Sequence, residues 1–113
     1  MSRWAWAEVS PGAIEHNVST IVSEVQPAQV WAVVKADGYG HGAVLAARAA
    51  LAGGATGLCV ALVQEGVALR EAGIDCPLLV LSQQPAEVLP AAVQHGLALT
   101  VYSLEALAEI AAA

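Results

Sequence analysis

Four short apolar runs constrain this chain more than any other feature: Val30 to Val34, Leu58 to Val63, Leu78 to Leu81 and Leu97 to Val101. Each is rich in Val and Leu and too short for an ordinary helix, the pattern of a parallel strand covered on both faces. Helical segments separate the runs. Ser10-Pro11 supplies an N-cap and a proline at the first helical position, after which Ile14, Val18, Ile21, Val22 and Val25 share one face. Ala43 to Ala52 stops at Gly53-Gly54, Gln64 to Ala72 at Gly73, and Pro85 to His95 at Gly96, each a glycine placed for a left-handed C-cap. Ser103 opens a last helix that runs to Ala113. Gly66 alone opposes its helix, at about 1 kcal/mol relative to alanine.

The predicted order is an opening strand, Trp4 to Val9, then a helix, then four strand–helix modules. Alternating β and α with short loops means a parallel sheet joined by right-handed crossovers. Such a sheet closes as an open doubly wound layer or as a (β/α)8 barrel, and a barrel takes about 250 residues. The 113 residues supply four modules and end inside a helix, so the chain reads as a piece of something longer. Trp4 and Trp6 alternate and are expected on one packed face of the opening strand.

Charge narrows the partners. The net charge is −6, and the only fixed cations are Lys35, Arg3, Arg48 and Arg70. That is too few to neutralise a nucleic-acid backbone or to form an electrostatic membrane patch. No apolar stretch reaches the roughly 18 residues of a membrane span, and the first residues lack a signal-peptide core, so a cytoplasmic location is expected. Cys59 and Cys76 form no CxxC pair and His16, His41 and His95 are dispersed, which favours structural thiols and no metal site.

The single lysine, Lys35, stands where the first apolar run ends and a glycine-rich segment, Val33 to Gly42 (VVKADGYGHG), begins. In parallel α/β folds the carboxyl ends of the strands carry the chemistry. Partial desolvation there disfavours an ammonium group, and a neutral amine is what imine formation requires. The same position also suits a lysine snorkelling into water. Gly38, Gly40 and Gly42 fit neither G-x-G-x-x-G nor the Walker pattern. They predict a tight backbone turn carrying Tyr39, which reads as a packing residue or as a hydroxyl donor. Asp37 and His41 read as turn, capping or packing residues.

The eleven residues AVVKADGYGHG, Ala32 to Gly42, resemble the cofactor-lysine signature of bacterial alanine racemases, fold-type III enzymes that use pyridoxal 5'-phosphate (PLP). WAEVSPGAIEHN near the start and EGVALREAGIDCPLLVL in the middle extend the resemblance over nearly the whole chain. It departs mildly at Gly38 and at Gln64-Glu65-Gly66. The resemblance implies an α/β fold of parallel (β/α) modules forming roughly half of a TIM-type barrel. Residues 1–113 would be the partial N-terminal barrel domain, with the opening strand joining a C-terminal β domain that this chain lacks.

The resemblance further implies that Lys35 bonds covalently to PLP and is one of two catalytic bases, acting on the D-alanine face. Tyr39 would hydrogen-bond the cofactor phosphate. The substrate implied is alanine, the product D-alanine for the cell wall, and the full-length form a homodimer. The family's second base, a tyrosine of the partner's C-terminal domain, has no counterpart here, and Tyr102 and the arginines match none of its motif positions. Two other readings stand beside an enzyme part: a non-catalytic PLP-binding relative, and a degenerate structural fragment of the same fold.

Overall fold

The computed structural model describes residues 4–113. Four strands, β1 (Trp31–Val33), β2 (Gly57–Val60), β3 (Leu78–Val80) and β4 (Ala98–Leu99), pair in parallel in the order β1-β2-β3-β4. This order separates the two closures left open above. A doubly wound sheet reverses direction at its first strand and takes helices on both faces. Here each strand adds beside the last, so right-handed crossovers place every connecting helix on one face. Four consecutive staves of a barrel are the result.

The register assigns the two faces. Ala32, Leu58 and Leu78 lie side by side, as do Val60, Val80 and Leu99. With Val34 and Leu97 these residues form the core against the helices. The alternate residues, Trp31, Val33, Cys59, Leu79 and Ala98, line the opposite, inner face. Trp31, Val33 and Leu81 remain 37%, 39% and 37% exposed there. Trp31 lays its indole over Gly57, where a Cβ would sit 2.5 Å from the ring.

The helices follow their local signals, with three differences. In α1 (Pro11–Val25), the Ser10 side chain accepts from the Ala13 N–H at 3.2 Å, and Ile14 and Val18 reach the core while Ile21 is half exposed. α3 (Ala43–Ala52) ends where expected. The second apolar run does not stay a strand: β2 stops at Val60, and α4 (Val63–Glu71) begins with the buried Val63. An unbroken apolar run cannot mark its own change from strand to loop to helix. The expected helix from Pro85 to His95 divides into a 3-10 turn (Ala86–Val88) and α5 (Leu89–Gln94). Pro90 lacks the N–H that would bond the Ala86 carbonyl, so a continuous helix has no ladder bond there. α6 (Leu104–Ala112) starts at Ser103, whose hydroxyl accepts from the Ala106 N–H at 3.1 Å.

The third difference is at the start. Residues 4–9 form no strand, and Trp4 is fully exposed and Trp6 74% exposed. A strand exists only as a ladder, and no described segment pairs with this one.

Two glycines explain how the helices approach. Gly66 sits inside α4 because Leu97 occupies the space of its missing side chain, with a methyl 2.8 Å from a built Cβ. At Gly53, α1 crosses the end of α3 so closely that a Cβ would lie 2.5 Å from the Glu15 carbonyl oxygen and 2.9 Å from the Val18 Cβ. Gly53 has a right-handed φ of −78°, so alanine would meet contact strain without conformational strain. Gly53→Ala should therefore lower unfolding free energy by about 1–3 kcal/mol in urea titrations, the usual cost of overpacking. A loss below about 0.5 kcal/mol, typical of unconstrained surface positions, would show that α1 is not held at this distance.

Arg70 closes the end of the sheet away from the lysine. Its Nε donates to the His95 carbonyl (2.8 Å), Nη1 to those of Ile74 (3.0 Å) and Cys76 (2.7 Å), and Nη2 to that of Gly96 (3.3 Å). It satisfies carbonyls left orphaned around the ends of two helices, using four of its five N–H donors there.

Candidate functional site

Strand β1 ends in a final ladder bond from the Val34 N–H to the Cys59 carbonyl, 2.9 Å. Lys35 follows, half-buried, as the first residue past the strand, where a ψ of 23° at Val34 ends the extended backbone. The chain then makes a short helix, α2 (Lys35–Tyr39), whose backbone is left-handed from Ala36 onward. The φ values are 52° at Ala36, 55° at Asp37, 63° at Gly38 and 56° at Tyr39, with Gly40 at 86°. The three glycines announced a tight turn, but three residues with a Cβ share its left-handed conformation. Each such residue costs roughly 1–2 kcal/mol, and a run of them persists only where its surroundings over-determine it.

Those surroundings are visible. Gly38 N–H bonds the Val34 carbonyl and Gly42 N–H the Asp37 carbonyl, both at 2.9 Å, while Gly40 N–H is shared between the Ala36 and Asp37 carbonyls. Asp37 Oδ1 accepts from the Ala43 N–H at 2.9 Å, capping α3 as the sequence suggested. His41 Nδ1 lies 2.9 Å from the Gly38 carbonyl oxygen and donates to it, also a local role. Gly38 is buried against α3, where a Cβ would meet that of Ala46 at 3.1 Å. Glu65 Oε2 accepts from the Ala36 N–H at 2.8 Å. Hydrogen bonds to a charged group contribute about 1.5–3 kcal/mol each, somewhat less at this half-exposed position, which is of the order needed to offset the left-handed residues.

Further polar side chains tie the neighbouring loops together. Glu65 Oε1 also accepts from the N–H groups of Ala61 (2.9 Å) and Leu62 (2.8 Å). The Ser82 hydroxyl and Gln84 Nε2 donate to the Ala61 carbonyl, and Gln84 Oε1 accepts from the Val63 N–H. Gln83 Oε1 accepts from the Tyr102 N–H. The loops after all four strands are thus linked in sequence at the carboxyl edge. Sequence reasoning missed Glu65, Ser82, Gln83 and Gln84. The one signal was Glu65 three residues after Leu62, the capping-box spacing, hidden because Leu62 is not a capping residue type.

Lys35 and Tyr39 come to this edge one turn apart, Tyr39 59% exposed. A half-buried amine and an open phenol are the chemical groups that would hold an aromatic aldehyde bearing a phosphate, the amine at its carbonyl carbon and the phenol at an anionic oxygen. A cavity of about 350 Å³ behind the turn, lined by Asp37, Ala43, Val60, Gln64, Glu65 and Ala68, suits it less. Two carboxylates face it, and Val60 belongs to the helix side of the sheet. Cys59 is buried in register with Val33, and burial pushes its thiol up, away from thiolate chemistry. Burial also raises Cys76, with Arg70 pulling the other way. Both cysteines are free, and among the described residues no group of three His, Cys, Asp or Glu could hold a metal ion.

The fold and edge together define a class: the first staves of a parallel (β/α) barrel, with one lysine at the carboxyl end of the first strand. The family described as "Alanine racemase, N-terminal domain" matches residues 9–113. The chain belongs to the alanine racemase family, as an N-terminal barrel portion. It is 46% identical over 104 residues to the alanine racemase of Ligilactobacillus salivarius, covering 91% of this chain and 28% of that protein. The crystal structure of alanine racemase from E. faecalis superposes with a TM-score of 0.86 at 43% identity, over 91% of this chain and 28% of that one. A histidine racemase from Leuconostoc mesenteroides superposes at 0.83 with 25% identity, over 90% of this chain and 27% of that one. The chain therefore spans a little over a quarter of the length of these relatives. No described helix is long and apolar enough to cross a membrane.

Proposed function

We propose that this chain is the lysine-bearing part of a PLP-dependent enzyme that interconverts L- and D-alanine. The observation that carries the reading is the position of the only lysine. A chain with no other ammonium side chain keeps it half-buried at the carboxyl end of a strand, at the start of a turn locked against its own strain. PLP, when bound, supplies an electron sink for negative charge at the substrate Cα. Lys35 holds the cofactor covalently through its amine and moves a proton at Cα on the D-alanine face. Tyr39 keeps the cofactor in place by donating its hydroxyl to a phosphate oxygen. Alanine is the substrate in this reading because the alanine racemases cited above share 43–46% identity with the chain, against 25% for the histidine racemase.

In the same reading the complete enzyme is a cytoplasmic homodimer supplying D-alanine to the cell wall, and its remaining barrel strands and C-terminal β domain complete the site. The test is to join this chain to the downstream part of a family member and follow alanine by chiral chromatography. Interconversion that disappears with Lys35→Ala supports the reading. A soluble, PLP-loaded assembly that leaves both enantiomers unchanged overturns it and favours a binding protein on the same fold.

Tyr39→Phe separates cofactor retention from proton transfer. A hydrogen bond to a charged oxygen is worth about 1.5–3 kcal/mol, so the assembled enzyme should bind PLP at least about tenfold more weakly. Turnover at saturating PLP should stay nearly unchanged. Unchanged affinity with collapsed turnover would give Tyr39 a catalytic role instead.

A further inference from the structure

We infer that Glu65 is a positioning residue for Lys35: its carboxylate holds the left-handed turn that sets the direction in which the lysine leaves the sheet. The inference builds on the reading of Lys35 as the cofactor lysine. The backbone ladder between β1 and β2 ends with Val34 N–H on the Cys59 carbonyl. The next amide able to tie the two strands is that of Ala36, and Glu65 Oε2 takes it at 2.8 Å, across 29 residues of sequence. The other oxygen, Oε1, is fixed by Ala61 and Leu62, the two residues that follow β2. The carboxylate therefore stands in for a backbone pairing beyond the ladder's end.

The amide it holds belongs to the Lys35–Ala36 peptide, whose plane is set by the backbone torsion of Lys35 itself. Ala36 is also the first left-handed residue of the turn, at φ 52° and ψ 50°. Freed from Glu65, that peptide can rotate toward the right-handed or extended regions that alanine prefers. The lysine would then leave the strand in a different direction. Among the described residues no other side chain bonds this turn to the neighbouring strand's loop; Asp37 and His41 bond only within the β1–α3 connection. Glutamine cannot replace the carboxylate, because its single acceptor oxygen serves one loop and its amide nitrogen confronts an N–H donor in the other.

Two readouts, on this chain joined to the downstream part of a family member, test the inference. In Glu65→Gln and Glu65→Ala, hydrogen exchange of the Ala36 amide should accelerate by about tenfold or more, as expected for loss of a charge-assisted bond. Borohydride fixation of PLP on Lys35 should fall by about tenfold relative to fixation on the Met1 α-amine, which serves as an internal control. Core amides of Leu58, Leu69 and Val80 should keep their protection, showing that the variants remain folded. Ala36→Gly in the Glu65→Gln background should restore much of the Lys35 fixation, since glycine adopts the left-handed region without a Cβ penalty.

Faster exchange confined to Ala61 and Leu62, with Ala36 and the Lys35-to-Met1 ratio unchanged, overturns the inference and leaves Glu65 a cap of α4. Absence of any adduct on Lys35 in the unsubstituted assembly overturns the cofactor reading instead. Exchange at Ala36 then decides by itself whether Glu65 holds the turn.

Discussion

Borohydride reduction of the PLP-treated protein should fix the cofactor on one side chain, Lys35, and Lys35→Ala should abolish that adduct. No other lysine exists in the chain, so the α-amine of Met1 is the one competitor for an aldehyde. Lys35 has the advantage of place: it is half-buried at the end of β1, at the start of a rigid turn. Lys35→Arg is the sharper control. It keeps the charge and much of the packing, but a guanidinium stays protonated and forms no stable imine at neutral pH. Both variants should also lose the absorbance band near the visible range that marks lysine-bound PLP. Peptide mapping by mass spectrometry decides the matter, and a reduced adduct found on Met1 with none on Lys35 would reject the assignment.

The second large effect is expected from the 113 residues on their own. Among the described residues, strands β1 and β4 each pair on one side only, and Trp31, Val33 and Leu81 stand exposed on a face that carries few polar groups. Unpaired edges and contiguous apolar surface promote association. The isolated chain should sediment as oligomers or bind a hydrophobic dye strongly, and Val33→Asp with Leu81→Asp should shift it toward monomer. The helix-facing core is untouched by these changes, because neither residue lies on that face. Racemisation by the isolated chain should be unmeasurable, since one lysine delivers a proton to one face and alanine interconversion needs both. Adding the downstream strands should bring solubility and activity back together. A monodisperse monomer that interconverts the alanine enantiomers at the rates of complete relatives would show that both bases lie within these residues.

Much of this was legible beforehand for a physical reason. Strand and helix positions follow local rules: apolar runs at 30–34, 58–63, 78–81 and 97–101, a serine at each end of the chain placed to cap a helix, and glycines past helix ends. Each observed strand falls in its expected run, apart from Gly57, one residue before the second. Boundaries moved where one signal served two elements, as at Val63, or where a missing N–H mattered, as at Pro90. The expected strand at residues 4–9 did not form, because alternation supplies a face but no partner. Gly66 is a poor helix residue by local preference, and Leu97, 31 positions on, fills the space of its missing side chain.

The candidate site divides the same way. Lys35 and Tyr39 were readable because a lone lysine at the end of an apolar run is a local anomaly, and because the motif around it resembles a family. Glu65, Ser82 and Gln84 were not, because their bonds reach loops that adjoin only once the strands are laid side by side. The amino-acid order by itself determined four strands in parallel, their helices, and a solitary amine at a strand's carboxyl end, all set by hydrophobic period and capping chemistry. Tertiary structure alone decided the strand order that makes the sheet part of a barrel. It also decided which sheet face stays uncovered, and the left-handed path after Lys35. Those features depend on contacts between residues about thirty apart, such as Ala36 with Glu65. A left-handed turn at Ala36, Asp37 and Tyr39 runs against their own local preference, so it needs the bonds around it, and the one from Ala36 to Glu65 exists only in the assembled fold.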